Sequence, residues 1–350
     1  MSQLLVIGSI NADLHVHVEA RPAPGQTVRG GPLTILPGGK GANQALAASL
    51  LGAQVSLVGA VGSDANAQPA LEELHRSHVD LSQVTHMDGS TGTAVIVVSG
   101  DGENSIIVSA GANAAVTPQQ VHRAIASSAD DTVVLLQLEL PVPVVETAVA
   151  EAHDRGLRVI LNAAPIAPLS PQVLAACDPL VVNETEAADL LGMDSLDGHH
   201  YEQVATGLLA LGPKSVVMTL GAAGCAVAVL GQSVVQIPAP RVTAVDTTGA
   251  GDAFVGALAA ALCCEQKARS DQQPCSDHQP CADDKPCSGQ NINRPHEAGS
   301  GKTSMAQLVT AAHRAVVVGA LAVQKVGAQP SYPTADQLAA FQASTQAPAA

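Results

Sequence analysis

The sequence predicts a mainly parallel β-sheet covered by helices on both faces, with a small separate β-sheet beside it. Short apolar runs alternate with helical patterns, which favours parallel strands joined by crossover helices. The runs lie near residues 3–10, 55–61, 133–138, 158–162, 179–182 and 215–220. The chain has 350 residues, which suits one domain over 1–350 better than two full domains.

Helical patterns follow these runs in order. They begin after Gly41, Ala65, Thr117, Val142, Thr185 and Tyr201, and a further helix covers residues 305–326. Two apolar runs at 225–230 and 233–237 are separated by only two residues. This spacing predicts a β-hairpin beside the parallel sheet.

Residues 14–36 and 91–109 break the alternation of strands and helices. Both segments alternate apolar and polar residues with no helix between, as in 93–98 and 105–108, and Gly100 to Gly102 supplies turn residues. Strands inserted in this way favour a small β-sheet of their own. A merely decorative edge sheet is the alternative.

Residues 265–304 differ in composition from the rest of the chain. A Pro-Cys step recurs every six residues, at Cys275, Cys281 and Cys287, among polar residues with little apolar surface. This composition predicts a disordered insertion between two helices. The alternative is a metal or redox site formed with His278 and His296, although zinc sites usually carry a CxxC spacing.

Composition excludes several classes of function. The net charge of −15 and the absence of Trp, with only two Phe and two Tyr, argue against a nucleic-acid partner. The chain shows no basic leader and no apolar run of membrane-spanning length, so we expect a cytoplasmic protein. Cys177, Cys225, Cys263 and Cys264 stand among apolar residues and are expected to be buried.

A glycine-rich turn at residues 246–252 runs directly into an apolar helix. Its two glycines carry no side-chain bulk, so backbone N–H groups can converge on an anion where the helix dipole also favours negative charge. The turn Gly249-Ala250-Gly251 therefore predicts a phosphate site, and Asp252 is placed to take a proton from an attacking hydroxyl. A structural turn with Asp252 as an ordinary first-turn acid is the alternative.

The N-terminal part carries two further candidate segments. Residues 4–10 read as a buried strand with Asn11 and Asp13 at its carboxyl end, where open α/β sheets usually place ligand groups. Residues 37–45 then form a glycine turn that opens a helix and carries Lys40 and Asn43. Each segment alone is a weak signal, because a strand cap and any tight strand-to-helix turn have similar sequences.

Together and in this order, these segments resemble the ribokinase family of carbohydrate kinases, of the phosphofructokinase-B type. Ordered matches cover almost the whole chain apart from 265–304 and are very specific for the family. They include residues 8–13, 38–44, 102–104, 111–114, 183–186, 219–221, 249–252 and 327–331.

The resemblance implies a three-layer αβα sandwich whose small β-sheet, 14–36 with 91–109, is a lid over the sugar and the contact of a homodimer. It implies ATP-dependent phosphorylation of D-ribose at O5, with Asp252 as base and Gly249, Ala250 and Gly251 as anion hole. The implied sugar contacts are Asn11, Asp13, Gly39, Lys40, Asn43, Glu139 and Asp252. Alternatively, Lys40 is a solvated cation at a helix start and Glu139 a satisfied acid before Pro141.

The resemblance also implies sites for ATP, Mg²⁺ and K⁺. Thr219, Gly221, Gly224 and Gly251 match the nucleotide site, and Asn183 with Glu186 matches residues that hold Mg²⁺ largely through water, a role compatible with capping a helix. The K⁺ ligands would come from Asp246, Thr248, Ala322, Lys325, Gly327 and Ser331. Ala315 stands near a position where relatives often carry an adenine-contacting Asn, so the sequence departs from the family there.

Three other functions fit parts of the pattern. A kinase of the same family could act on another pentose, a ketohexose or a nucleoside, although scarce aromatic residues disfavour a stacked base. A dehydrogenase would need GxGxxG after the first strand, and polar Asn11 follows Gly8-Ser9-Ile10 instead. A catalytically inactive sugar-binding protein would give no reason for Asp252 in a phosphate-binding turn.

Overall fold

A large sheet with helices on both faces forms the body of the protein, and a smaller sheet lies beside it. The computed structural model describes residues 3–101, 104–196, 200–270 and 304–346. In chain order its strands are β1 Leu4–Ile7, β2 Asn11–His17, β3 Thr34–Gly38, β4 Val55–Gly62, β5 Val84–Met87, β6 Gly92–Val98, β7 Asn104–Ser109, β8 Val133–Leu136, β9 Arg158–Asn162, β10 Cys177–Asn183, β11 Ser215–Thr219, β12 Cys225–Val229 and β13 Val235–Ile237. The α-helices are α1 Lys40–Leu50, α2 Ala67–Arg76, α3 Pro118–Ser127, α4 Val142–Asp154, α5 Pro171–Ala176, α6 Glu184–Leu191, α7 Tyr201–Ala210, α8 Ala250–Ser270, α9 Met305–Ala322 and α10 Ala335–Gln346.

The large sheet has the strand order β13-β12-β11-β10-β9-β8-β1-β4-β5. From β11 at one end of this order to β5 at the other, neighbouring strands pair in parallel, as predicted. Strands β12 and β13 form the predicted hairpin, in which β12 pairs antiparallel with β11 and β13 is the edge strand. Strand β1 lies inside the sheet, between β4 and β8. The chain first adds β4 and β5 on one side of β1, and then reverses to add β8 to β13 on the other side. In open α/β sheets ligands bind at such a reversal, beyond the carboxyl ends of the strands.

Both faces of the large sheet are covered by apolar side chains. Leu4 and Val6 of β1 pack into one core, whereas Leu5 and Ile7 pack into the other. Successive residues of a strand point to opposite faces, so an uninterrupted apolar run serves a sheet that is buried on both sides. Leu135 is fully buried, and its truncation to Ala should cost about 2–5 kcal/mol.

The small sheet has the order β3-β2-β6-β7, with β2 and β6 parallel and the outer pairs antiparallel. It starts earlier than predicted, because β1 ends at Ile7 and a new strand begins at Asn11. A Cβ at Gly8 would stand 2.6 Å from the Gly41 Cα, so α1 packs directly on the chain as it leaves β1. The sequence predicts Asn11 and Asp13 at the carboxyl end of the first strand. This prediction is wrong, because both residues lie on β2 of the small sheet.

Helix α9 is an apolar core helix. By length and composition Met305–Ala322 could cross a membrane, contrary to the expectation that no run is long enough. It packs against α8, however, and buries Leu308, Ala311 and Ala315 in the core. Its apolar character is thus explained by packing inside the protein.

Two sequence expectations on α8 require correction. Residues 265–270 continue this helix, so the predicted insertion begins later, and its remainder up to residue 303 lies outside the described residues. Cys264 is exposed, whereas Cys177, Cys225 and Cys263 are buried as predicted. A helix side that faces away from the core explains the difference between the adjacent Cys263 and Cys264.

Candidate active site

The predicted anion-binding turn lies at the N-terminus of the long helix α8. Gly249 has a φ of 73°, and a Cβ there would stand 2.5 Å from the Ala328 Cβ, so this position requires glycine. A Cβ at Gly251 would meet nothing within 4 Å, which leaves open space beside the turn. Because first-turn N–H groups lack acceptors inside a helix, this space can take an anion.

Asp252 lies in the first turn of α8 and is buried. Its Oδ2 accepts a hydrogen bond from Asn43 Nδ2 at 3.0 Å, and its Oδ1 accepts one from Gln44 Nε2 at 2.9 Å. Helix α1 supplies both donors. Each carboxylate oxygen keeps a lone pair, so Asp252 remains able to accept a further proton.

Glycines bring the start of α1 close to the segment that joins β1 to β2. Gly39 caps α1 with a φ of 87°, and a Cβ there would stand 2.8 Å from the Asn11 nitrogen. The Lys40 nitrogen donates to Glu139 Oε2 at 3.0 Å, and the Ser9 hydroxyl donates to the same oxygen. Glu139 Oε2 thus accepts two hydrogen bonds from within the protein. This agrees in part with the alternative that Glu139 is a structural acid whose hydrogen bonds are already made.

Lys40 lies among carboxylates. Its pKa is raised, first by the charge of Asp252 and then, against the opposing effect of burial, by Glu139 and Glu186. The ammonium group therefore stays protonated and balances part of the local negative charge. This position in a cavity differs from the solvated helix-start cation considered as an alternative.

Asp13 and Asn11 lie on β2 and face the same region. Burial, followed by the charges of Glu139 and Asp252, raises the pKa of Asp13 to about 7. Asp13 Oδ1 is buried without a hydrogen-bond partner among the described residues. Asn11 Oδ1 accepts from Asn113 Nδ2 at 2.7 Å, which fixes its amide. An unsatisfied buried oxygen of this kind is suited to a ligand hydroxyl.

Two adjoining cavities meet at the anion-binding turn. The smaller, of about 130 Å³, is lined by Lys40, Asn183, Glu186 and Asp252 among others. The larger, of about 620 Å³, is mainly apolar. Thr219 and Gly251 line both cavities.

The larger cavity lies between the end of β11 and the helices α8 and α9. Gly221 and Gly224 line it, as the predicted nucleotide site requires. Ala315 is fully buried and is not among its lining residues. The wall from α9 and its C-terminal cap consists of Val316, Gly319, Ala320 and Val323 instead.

Asn183 and Glu186 form a reciprocal capping box at the start of α6. The Asn183 nitrogen donates to Glu186 Oε2 and the Glu186 nitrogen to Asn183 Oδ1, both at 2.8 Å. Burial is the main cause of the raised pKa of Glu186. Both residues also line the smaller cavity, so capping leaves Glu186 Oε1 available there.

The residues predicted to bind K⁺ come together beside the anion-binding turn. Asp246 Oδ1 accepts from the Thr248 nitrogen at 2.9 Å and Oδ2 from the Gly327 nitrogen at 2.8 Å. Although burial raises the pKa of Asp246, the hydrogen bonds from Gly327 and Thr248 outweigh it and lower the pKa. The Ser331 hydroxyl donates to the Ala328 carbonyl at 2.7 Å, and the Lys325 nitrogen donates to the Ala322 carbonyl at 3.3 Å.

Several residues of this region were not predicted from the sequence as site residues. Gln329 Nε2 donates to Asn43 Oδ1 at 2.9 Å, and Gln137 Nε2 donates to Gln44 Oε1 at 2.6 Å. The Tyr332 hydroxyl is buried and finds no hydrogen-bond partner within the described part of the chain, and burial raises its pKa well above the ordinary value. The sequence offers no spacing signal for these contacts, which join residues far apart in the chain.

The mainly parallel sheet flanked by helices, the small second sheet and the glycine turn at the start of α8 are the features that the sequence resemblance implies for a carbohydrate kinase. The chain belongs to the pfkB family of carbohydrate kinases, whose model matches residues 1–270. The resemblance inferred from the sequence motifs is therefore confirmed.

Within this family the chain is similar to ribokinases. Haemophilus influenzae ribokinase is 38% identical over 260 residues, which cover 74% of this chain and 85% of that protein. The solved structure of Arabidopsis thaliana ribokinase complexed with ribose and ATP has a TM-score of 0.77 at 30% identity, covering 97% of this chain and 99% of that one. Salmonella typhi deoxyribokinase is 35% identical over 258 residues, or 73% of this chain and 84% of that protein.

Proposed function

We propose that this protein transfers the γ-phosphoryl group of ATP to O5 of D-ribose. The observation that carries the proposal is the junction of the two cavities at Gly251, with Asp252 beside it. A nucleotide in the larger cavity would point its phosphates at the N-terminus of α8, and a sugar beside Asp252 would present its hydroxyl to them. The similarity to a ribokinase structure with ribose and ATP supports this assignment of ligands.

The proposed reaction needs one proton transfer and one phosphoryl transfer. Asp252 takes the proton of the O5 hydroxyl while O5 bonds to the γ-phosphorus, and the bond from that phosphorus to the β–γ bridging oxygen of ATP breaks, so that ADP leaves with this oxygen. The N–H groups of Gly249 and Gly251 and the α8 dipole would stabilise the charge on the transferring oxygens. The Ala250 N–H, the third predicted donor, donates to the Thr247 carbonyl at 3.2 Å and would have to leave that acceptor to join them. The products are ribose 5-phosphate and ADP.

The sugar would be held from two sides. Asn11 and Asp13 approach from the small sheet, and Gly39, Lys40, Asn43 and Glu139 from the main body. Asp13 Oδ1, for which the described residues offer no hydrogen-bond donor, supports a contact with a sugar hydroxyl, since a carboxylate oxygen accepts from such a donor. The small sheet would then act as a lid that excludes water from the reacting groups.

Cation sites complete the proposal. Mg²⁺ would be held near Glu186 and Asn183, whose oxygens in the smaller cavity are of the hard type that this ion prefers, and it would neutralise charge on the phosphates. K⁺ would be held by the set Asp246, Thr248, Ala322, Lys325, Gly327 and Ser331, mainly through carbonyl oxygens, because both Asp246 carboxylate oxygens already accept backbone N–H groups.

We also place this protein in the cytoplasm and assign a homodimer that forms through the small sheet. Ile106, Ile107 and Val108 of the edge strand β7 are 59–68% exposed, and Leu33 and Ile35, just before and within the opposite edge strand β3, are also exposed. Exposed apolar side chains at the edges of the small sheet favour contact with a second copy. Sedimentation of the Ile107→Asp protein tests this, because a buried charge should shift the dimer toward monomer.

A panel of acceptors with ATP consumption as readout tests the proposed function. D-ribose should give the highest kcat/KM against 2-deoxy-D-ribose, D-fructose and adenosine. 2-Deoxy-D-ribose is the sharpest competitor, because a deoxyribokinase is among the relatives. A preference for any other acceptor, or no turnover with all of them, would overturn the assignment to ribose.

A further inference from the structure

A chain of buried amide side chains stands behind the proposed base. Gln44 and Gln137 are fully buried, and Asn162 is nearly so. Gln44 Nε2 donates at 2.9 Å both to Asp252 Oδ1 and to Asn162 Oδ1. Gln44 Oε1 accepts from Gln137 Nε2 at 2.6 Å.

The orientation of the Gln44 amide is fixed by these partners. Both of its N–H groups face oxygen atoms, and its oxygen faces an N–H group. Asn162 in turn donates through Nδ2 to the Val181 carbonyl at 3.3 Å, so its Oδ1 is the atom left for Gln44. A flipped Gln44 amide would set oxygen against two oxygens and leave buried groups unpaired, at about 1–3 kcal/mol for each group.

We propose that Gln44 is a positioning residue for Asp252: its amide holds Oδ1 and thereby fixes the plane of the carboxylate that receives the sugar proton. This inference rests on the proposed function, in which Asp252 is the base. Asn43 donates to Oδ2, but it is also one of the proposed sugar contacts, whereas Gln44 is fully buried and is not among them. Gln44 therefore acts on the reaction only through Asp252.

The predicted effect is on turnover and not on substrate affinity. A base that rotates away from the hydroxyl loses alignment, and misplacement by about 1 Å can cost about 100-fold in rate. We expect Gln44→Met to lower kcat by about 10- to 100-fold, with KM for ribose and ATP within about threefold of wild type. Gln44→Glu keeps the shape but sets a carboxyl beside Asp252, so the acid limb of the kcat/KM profile should move to higher pH.

Gln137→Met is the matched control. It removes a buried amide of the same size from the same chain of hydrogen bonds, but it leaves the bond from Gln44 to Asp252 in place. It should lower Tm about as much as Gln44→Met while kcat stays within about threefold of wild type. Equal kcat losses in the two variants would show a purely structural role and overturn the inference.

A double-mutant cycle with Asp252→Asn separates the possible failures. If Gln44 acts only through Asp252, adding Gln44→Met to Asp252→Asn should cost no further activity. If Asp252→Asn loses turnover while Gln44→Met keeps kcat within threefold and Gln44→Glu keeps its acid limb, only the role of Gln44 is refuted. If wild type phosphorylates no sugar, or Asp252→Asn keeps full turnover, the proposed function falls and the positioning role falls with it.

Discussion

Replacing Asp13 by Asn is expected to stabilise the protein at alkaline pH while weakening sugar binding. Burial and the charges of Glu139 and Asp252 raise the pKa of this carboxyl from 3.8 to about 7. Since the folded pKa is the higher one, the folded protein keeps a proton that the unfolded chain has already released. Stability therefore falls as pH rises through this window, and the full cost of the buried charge is present above the folded pKa.

The size of the effect follows from the pKa of about 7. From about pH 5 up to its folded pKa, a span of roughly two pH units, the carboxyl is protonated in the folded protein and ionised in the unfolded chain. Each of these pH units lowers the free energy of unfolding by about 1.4 kcal/mol. The free energy of unfolding of wild type should thus fall by about 3 kcal/mol from this residue alone. The Asp13→Asn protein lacks the titrating group, so its advantage over wild type should widen by that amount.

Urea unfolding at the two pH values, followed by circular dichroism because the chain has no Trp, measures this gap. Asp80→Asn is the control, since hydrogen bonds, chiefly from the Ser82 backbone, lower the pKa of Asp80 despite some burial. The ionised Asp80 carboxylate stabilises the folded protein above its unfolded pKa, and this contribution is lost only at acid pH. The difference in unfolding free energy between Asp80→Asn and wild type should therefore stay constant from about pH 5 to pH 8. A constant gap for Asp13→Asn as well would refute the reasoning.

Three further predictions concern turnover. Asp252→Asn should lower kcat by about 10²–10⁴-fold while calorimetry still detects ribose and ATP binding; a loss below tenfold would mean that Asp252 is structural. Rates should be higher in K⁺ than in Na⁺ or tetramethylammonium at equal ionic strength, and equal rates would remove the proposed K⁺ site. Replacing residues 271–303 by a short Gly/Ser linker should leave kcat and Tm nearly unchanged, because Ser270 lies about 27 Å along α8 from Asp252; loss of activity together with bound zinc would contradict this.

The parallel sheet and the anion-binding turn were predictable because each has a local sequence pattern. The apolar run of β1 and the glycine turn before α8 each predict a local structure on their own. The error at Asn11 and Asp13 came from reading residues 4–10 as one strand, since an apolar run does not show where the chain leaves one sheet for another. The strand pairing reveals that point, since Leu4–Ile7 pairs within the large sheet and Asn11–His17 within the small one.

The buried amides behind Asp252 could not be predicted in the same way. Gln44 and Gln137 are 93 positions apart, and Gln329 lies 286 positions from the Asn43 that it contacts. A single glutamine in an apolar helix or after a strand has no periodicity that distinguishes it from a surface residue. Its partners are set by the tertiary fold, and a single sequence contains no local record of them.

The division of the proposed sugar contacts between the small sheet and the helices of the main body bears on how ATP is protected from hydrolysis. Asn11 and Asp13 belong to the small sheet, whereas Asn43 and Asp252 belong to helices of the main body. An acceptor that spans both parts is held in line with the phosphoryl group by both at once. Water fits beside Asp252 but is too small to bridge the two parts, so we expect hydrolysis of ATP without sugar to be slow for reasons of acceptor size.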